Sequence, residues 1–312
     1  MRHLIGFFCF LLSLAANADA VDELMEPYLI IDIPQCCDIS QQERFDITDF
    51  ISPSHPYNFT SVRLKAANVL VIDQETGEIL FSKKADEIVS IASVTKLMTA
   101  MVVLDADLSM DEIITITRAD VNWLKRTRSR LQEGTKLSRA AIMRLALMSS
   151  DNRAAHALAR TYPAGFKAFI IAMNDKAQNL GMMNSEFFDP TGLTPKNTST
   201  ARDLAIMVGA AYGYDEIREF STTERYTIKL SKKRNARPTR FMNSNALIHT
   251  HQWKIGLSKT GYISDAGRCV VMQAQISDRP VIIILMDSLT KRTRVKDANA
   301  LKAWLQTILE GI

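Results

Sequence analysis

Three short groups of residues in this 312-residue chain can do chemistry together. The first is Ser93-Val94-Thr95-Lys96, a hydroxyl three positions before a lysine; the second is Ser150-Asp151-Asn152; the third is Lys259-Thr260-Gly261. At the start of a helix, residues i and i+3 share a face, so Lys96 can reach Ser93. A neutral lysine can then take the serine proton and free a nucleophile. Burial and a second nearby cation both drive a lysine toward its neutral form, and Lys259 supplies that cation if its strand lies beside the helix. Ser150 can bridge Lys96 and Lys259 and carry a proton to a leaving amine. Asn152 offers a donor and an acceptor to a substrate amide, while Lys259 and Thr260 offer a charge and a hydroxyl to a carboxylate. Gly261 has no side chain to keep an extended substrate off the strand edge. The backbone N–H groups of Ser93 and Tyr262 would complete an oxyanion hole. Such a set performs acyl transfer through a serine ester.

Each group also has a plain structural explanation. Ser93 and Thr95 can cap a helix, Ser150-Asp151-Asn152 can be a turn, and Lys259-Thr260-Gly261 can be a strand entering a turn. All three must coincide for the plain explanation to hold, which argues against it.

The elements that would position these residues are legible from periodicity. Residues 67–83 read as a β-hairpin turning at Gln74-Glu75-Thr76-Gly77. A helix follows near Ser93 and runs through Met98, Met101 and Leu104. Residues 109–250 turn mainly helical: 138–148, 151–162 stopping at Pro163, 166–180 ending at Gly181, and a helix from Ala201 opened by Thr200 with Asp203 in the manner of a capping box. The charged run 229–240, with Pro238, reads as a solvated hairpin or loop, the alternative being a contact with an anionic polymer. Strands return at 256–262, 268–275 and 280–287, and a helix over 294–309 closes the chain. The expectation is one α/β domain over 61–312, an antiparallel sheet joining the two ends of the chain, flanked by helices with a helical lobe inserted.

Residues 1–20 have a positive start, an apolar run over 4–14 too short to span a bilayer, and small residues at Ala16, Ala18 and Ala20. They read as a secretory signal cleaved after Ala18 or Ala20, which places the mature protein in the periplasm or outside the cell. Residues 21–60 are an irregular lead segment, with a short helix near 22–25. A net charge of +4 suits an anionic polymer and is too weak for nucleic acid, for which no motif is present. After the signal three cysteines remain, Cys36, Cys37 and Cys269; the last lies in an apolar strand and reads as a buried, inert thiol. No Cys/His spacing fits a metal, His249 and His251 being only a two-apart pair, and no cofactor is implied.

At the three motifs the chain resembles the low-molecular-mass penicillin-binding proteins, the D-alanyl-D-alanine carboxypeptidase and endopeptidase family, whose signature is this triplet. The resemblance extends over 91–99, 147–155, Phe188-Asp189-Pro190-Thr191-Gly192-Leu193, 257–262 and Ala266-Gly267. Within the family, 101–105 and 199–204 are most similar to the endopeptidase group. The resemblance implies a β-lactamase/transpeptidase-like fold, Ser93 as nucleophile, peptidoglycan stem peptides as substrate and β-lactam antibiotics as mimics. Many family carboxypeptidases add a β-rich domain and an amphipathic anchor, whereas here one helix follows Asp287, so no membrane anchor is expected once the signal is removed. Three rivals follow: a carboxypeptidase trimming terminal D-alanine, a β-lactamase, and a non-catalytic wall-binding protein. A class A β-lactamase would need Glu-x-x-Leu-Asn, and Glu186 is followed instead by Phe187-Phe188-Asp189-Pro190.

Overall fold

The computed structural model describes residues 62–121, 129–230 and 237–309, all within one compact unit. The readings on the signal, the lead segment, Cys36 and Cys37 lie outside these residues. In chain order the elements are β1 (Asn68–Asp73), β2 (Ile79–Lys83), β3 (Val89–Ser90), a 3₁₀ turn (Ala92–Thr95) running into α1 (Lys96–Asp105), β4 (Ile113–Thr115), β5 (Lys136–Ser138), α2 (Arg139–Met148), α3 (Asn152–Arg160), α4 (Gly165–Asn179), β6 (Thr198–Ser199), α5 (Ala201–Tyr212), α6 (Asp215–Thr222), β7 (Arg225–Ile228), β8 (Thr239–Met242), β9 (Lys254–Ile263), β10 (Gly267–Ile276), β11 (Arg279–Ser288) and α7 (Lys291–Leu309).

The principal sheet has five strands in the order β2-β1-β11-β10-β9. Every neighbour is antiparallel, and β1 pairs with β11 from Asn68↔Met286 to Asp73↔Val281, so the first strand zips onto the last. Both faces are covered. Leu70, Ile72, Val271, Ile282 and Ile284 face the helical lobe, while Val69, Val71, Val270, Met272, Ile283 and Leu285 face α7. That is why β1 and β11 read as continuous apolar runs, as expected of strands buried on both sides. α1 lies inside the lobe and buries every residue from Lys96 to Val103, the signature of a core helix.

The sheet, its antiparallel pairing and the helical lobe agree with expectation. Two details differ. The nucleophile turn is 3₁₀ over Ala92–Thr95, and the α-helix proper begins at Lys96. Thr200 caps α5 by accepting from the Asp203 backbone N–H, but the Asp203 carboxylate reaches the Asn184 N–H and the Ser185 hydroxyl, so the box is half formed. The run 229–240 spans the connection between β7 and β8 and the start of β8, a hairpin as expected, and of it 231–236 lie outside the described residues. Among the described residues no helix is long and apolar enough to cross a membrane.

Candidate active site

The three motifs converge. The Lys96 ammonium is buried and donates to Ser93 Oγ at 2.9 Å, to Asn152 Oδ1 at 2.7 Å and to the Thr191 carbonyl at 2.6 Å. Lys259, equally buried, donates to Ser150 Oγ at 2.9 Å and to the Thr260 carbonyl at 2.8 Å. Ser150 sits at φ 59°, a strained value for a non-glycine residue, between the end of α2 and the start of α3. Asp151 caps α3 by accepting from the Ala154 N–H at 3.1 Å, which fixes Asn152 in the first turn with its amide oxygen on Lys96.

The arrangement departs from expectation in three ways. Ser150 bonds Lys259 and not Lys96, whose three donors are taken by Ser93, Asn152 and Thr191. Burial is the chief force on Lys96, pulling its amine down to about 7, while the Asp189 and Asp151 charges push the other way. The repulsion between the two ammoniums falls on Lys259, which is lowered by burial first, then by Lys96 and by Arg294. Finally, the bare Cα of Gly261 faces the nucleophile turn: a Cβ there would lie 3.0 Å from the Ile91 carbonyl oxygen and 3.2 Å from the Ser93 amide nitrogen. A side chain at Gly261 would therefore press on the nucleophile turn and on the space at the Ser93 N–H, besides any approach of substrate to β9.

Asn152 and Thr191 have a directional consequence. Both present acceptor oxygens to Lys96. A neutral amine has two N–H donors and one lone pair; with both donors held by these oxygens, the lone pair faces Ser93. The Ser93 backbone N–H lies in the first helical turn and has no intrahelical acceptor, so it is free to meet developing negative charge. β9 is an edge strand, and Tyr262 projects from it 53 % exposed, with the Arg268 guanidinium over its ring at 3.7 Å. Thr260 Oγ1 donates to Ser244 Oγ at 2.7 Å, so presenting that proton to a carboxylate requires Ser244 to yield it.

Several supporting residues lie outside the three motifs. Asp189 accepts from the backbone N–H groups of Thr191, Gly192 and Thr194, tying a knot that aims the Thr191 carbonyl at Lys96. Asn197, fully buried, accepts from the Phe188 and Asp189 N–H groups and donates to Thr95 Oγ1 and the Asp189 carbonyl. Ser129 donates to the Asp151 carboxylate at 2.7 Å, and burial pushes that carboxyl up. The Asp-Pro-Thr-Gly string is a turn signal; nothing in the sequence marks Asn197, Ser129, Ser244 or Arg294. Glu186 is exposed and bridges backbone to backbone with Thr198, with no bond to Ser93 or Lys96. His249 and His251 both approach Glu224, at 3.5 and 3.8 Å. Cys269 is buried with its thiol pushed up to about 12, in keeping with an inert group.

A helical lobe on an antiparallel sheet, with a buried lysine on a serine at their junction, defines a serine acyl-transfer enzyme. The chain belongs to the peptidase S11 family, D-alanyl-D-alanine carboxypeptidase, whose model matches residues 53–290. It is 44 % identical to the D-alanyl-D-alanine endopeptidase of Pseudomonas aeruginosa and 41 % identical to that of Escherichia coli, each over 78 % of both chains. The crystal structure of the Streptomyces K15 DD-transpeptidase superposes with a TM-score of 0.73 at 29 % identity, covering 78 % of this chain and 98 % of that one. Penicillin-binding protein D2 of Listeria monocytogenes, in its cefotaxime-bound form, gives a TM-score of 0.65 at 29 % identity, covering 77 % and 96 %.

Proposed function

We propose that this enzyme is a secreted serine DD-peptidase that opens cross-links in peptidoglycan, with residues 1–20 as its signal, 21–60 as a lead segment and 61–312 as the peptidase domain. The observation that carries it is the contact of Lys96 with Ser93 at 2.9 Å inside a buried pocket that lowers the lysine to about 7. Neutral Lys96 takes the Ser93 proton, and Oγ attacks the carbonyl of a D-alanine in a stem peptide. The Ser93 and Tyr262 N–H groups hold the oxyanion. Lys259, through Ser150, then protonates the leaving amine, so the second lysine gives up its charge after the first has gained one, and the oxyanion offsets the pair in between. Water then attacks the ester, its proton returns to Lys259 through Ser150, and Lys96 gives back the proton of Ser93. Asn152 Nδ2 remains for a substrate carbonyl, and Lys259 with Thr260 for a carboxylate. The endopeptidase reading, in preference to trimming of terminal D-alanine, rests on the names of the relatives from Pseudomonas and Escherichia.

The test uses intact mass after penicillin and chromatography of cross-linked muropeptide dimers. A lasting adduct absent in Ser93→Ala, with dimers cut to monomers, is the expected outcome. An adduct with release of terminal D-alanine alone would make it a carboxypeptidase. Labelling that persists in Ser93→Ala would refute the assignment of the nucleophile.

A further inference from the structure

We infer that Tyr262 and Arg268, paired across β9 and β10, form a subsite that reads a side-chain carboxylate on the residue preceding the attacked D-alanine. The inference rests on the peptidase reading above and adds the donor side of the substrate to it.

The register places the pair. β9 is the edge of the sheet, and Tyr262 lies opposite Arg268 just as Thr260 lies opposite Val270. Opposed residues point to one face, and alternate residues share it. Val270 faces α7, so Thr260, Tyr262 and Arg268 lie on that face as well. Lys259 and Gly261 take the other face, toward the helical lobe and Ser93.

The direction of the substrate follows. Its attacked carbonyl meets the N–H groups of Ser93 and Tyr262, and the carboxylate on the leaving side goes to Lys259 and Thr260. Both of these precede Tyr262, so the substrate runs antiparallel to β9. Its donor side then continues past Tyr262 toward the turn at 264–266. Addition of a strand to a sheet edge draws affinity from main-chain bonds and specificity from the side chains beside them. What covers Tyr262 is therefore the part of the substrate bonded to the carbon that Ser93 attacks.

The chemistry of the pair selects an acid. Tyr262 is 53 % exposed, and the Arg268 guanidinium lies 3.7 Å from the centre of its ring. A cation on a π face holds the long side chain in place without using its N–H donors. Among the described residues those donors have no hydrogen bond and no carboxylate within ion-pair distance. The acids nearest in sequence are turned elsewhere. Asp265 accepts from the Ser264 hydroxyl at 3.0 Å, and Asp287 packs over Gly267, where a Cβ would meet its Oδ1 at 2.1 Å. From α7 comes a further cation: burial pulls Arg294 down to about 10, and Arg268 adds to that effect. A half-buried guanidinium with free donors and no acidic partner receives a carboxylate through paired N–H bonds. The Tyr262 ring offers an apolar surface to the methylene groups that carry it.

The test measures kcat/KM of the mature protein on two cross-linked muropeptide dimers. They differ only in whether the carboxylate on the residue before the attacked D-alanine is free or amidated. Monomers ending in D-alanyl-D-alanine form the same pair of substrates if the enzyme trims instead of cutting cross-links. Wild type should prefer the free acid by about tenfold or more. Arg268→Gln should bring the two rates together, while Arg268→Lys, which keeps the charge and loses the fork, should retain part of the preference. The ratio is internal to each protein, so a general loss of activity does not imitate the effect. Equal rates on the two substrates in wild type, or an undiminished preference in Arg268→Gln, would overturn the subsite. Penicillin adduct formation on Ser93 reports that a variant is folded. Should Arg268→Gln form none, Arg268→Lys carries the comparison, and an undiminished preference there would overturn the subsite too. Absence of both adduct and cleavage in wild type would instead strike the peptidase reading, and the subsite with it.

Discussion

Lys96 is the group on which the chemistry turns, and its environment sets a measurable pH. A solvated lysine near 10.5 is neutral in roughly 1 molecule of 3000 at pH 7. Burial brings Lys96 down to about 7, where half the molecules hold the free amine. The gain in competent base is on the order of a thousandfold, equivalent to about 4 kcal/mol at about 1.36 kcal/mol per tenfold. Acylation needs the base form, so the second-order rate of penicillin labelling of Ser93 should rise tenfold per unit below pH 7 and level off above it. Lys96→Met keeps the apolar stem and removes the amine; it should label about 10²–10⁴ times more slowly and lose the inflection. The sign for stability follows from the same shift. The unfolded chain holds the proton up to 10.5 and the folded one releases it near 7, so this group makes the fold more stable as pH rises between those values. Chemical denaturation of wild type and Lys96→Met across pH 6–10 would read that difference, which should vanish in the variant. A flat labelling profile from pH 5.5 to 9 would refute the reasoning, and an inflection that survives in Lys96→Met would move the titration to another group.

Other perturbations have equally definite outcomes. Gly192 has φ 75°, and a Cβ there would lie 1.8 Å from the Ala92 carbonyl oxygen; Gly192→Ala should cost at least ~3 kcal/mol and abolish labelling, and a wild-type melting temperature with normal labelling would contradict this. Asn197→Ala strips four hydrogen bonds from the loop that aims the Thr191 carbonyl. It should destabilise by about 2–4 kcal/mol and slow labelling more than tenfold, with Asn197→Asp restoring the two acceptor bonds and part of the rate; equal rates in all three proteins would remove Asn197 from a positioning role. For Asp120, burial alone would raise the carboxyl, but bonds from His156, Arg160 and the Thr117 backbone outweigh it and hold it at about 2. Its stabilisation is complete above pH 3.8 and lost as pH falls through 2. Asp120→Asn should therefore cost about 2–4 kcal/mol at pH 7 and flatten acid unfolding in that window, and an unchanged acid transition would exclude it.

What the amino-acid sequence determined by itself was local. The spacing of Ser93 and Lys96, the apolar runs of β1, β10 and β11 and the helical stretches of α2, α4 and α5 all arise from neighbours within a few positions, so pattern alone exposes them. The motif triplet pointed to acyl transfer because three unrelated coincidences had to occur together. Tertiary structure decided the rest. Only folding brings Thr191, 95 positions away, onto the Lys96 amine and Ser150, 109 positions away, onto Lys259. That convergence sends the third donor of Lys96 to a carbonyl instead of to Ser150. The cause of the lysine shift is likewise tertiary, because desolvation depends on what packs over α1 and not on the residues beside Lys96 in sequence. Asn197 shows the limit most plainly: one amide among polar neighbours in the sequence, it organises the loop under the nucleophile because four partners from two segments converge on it.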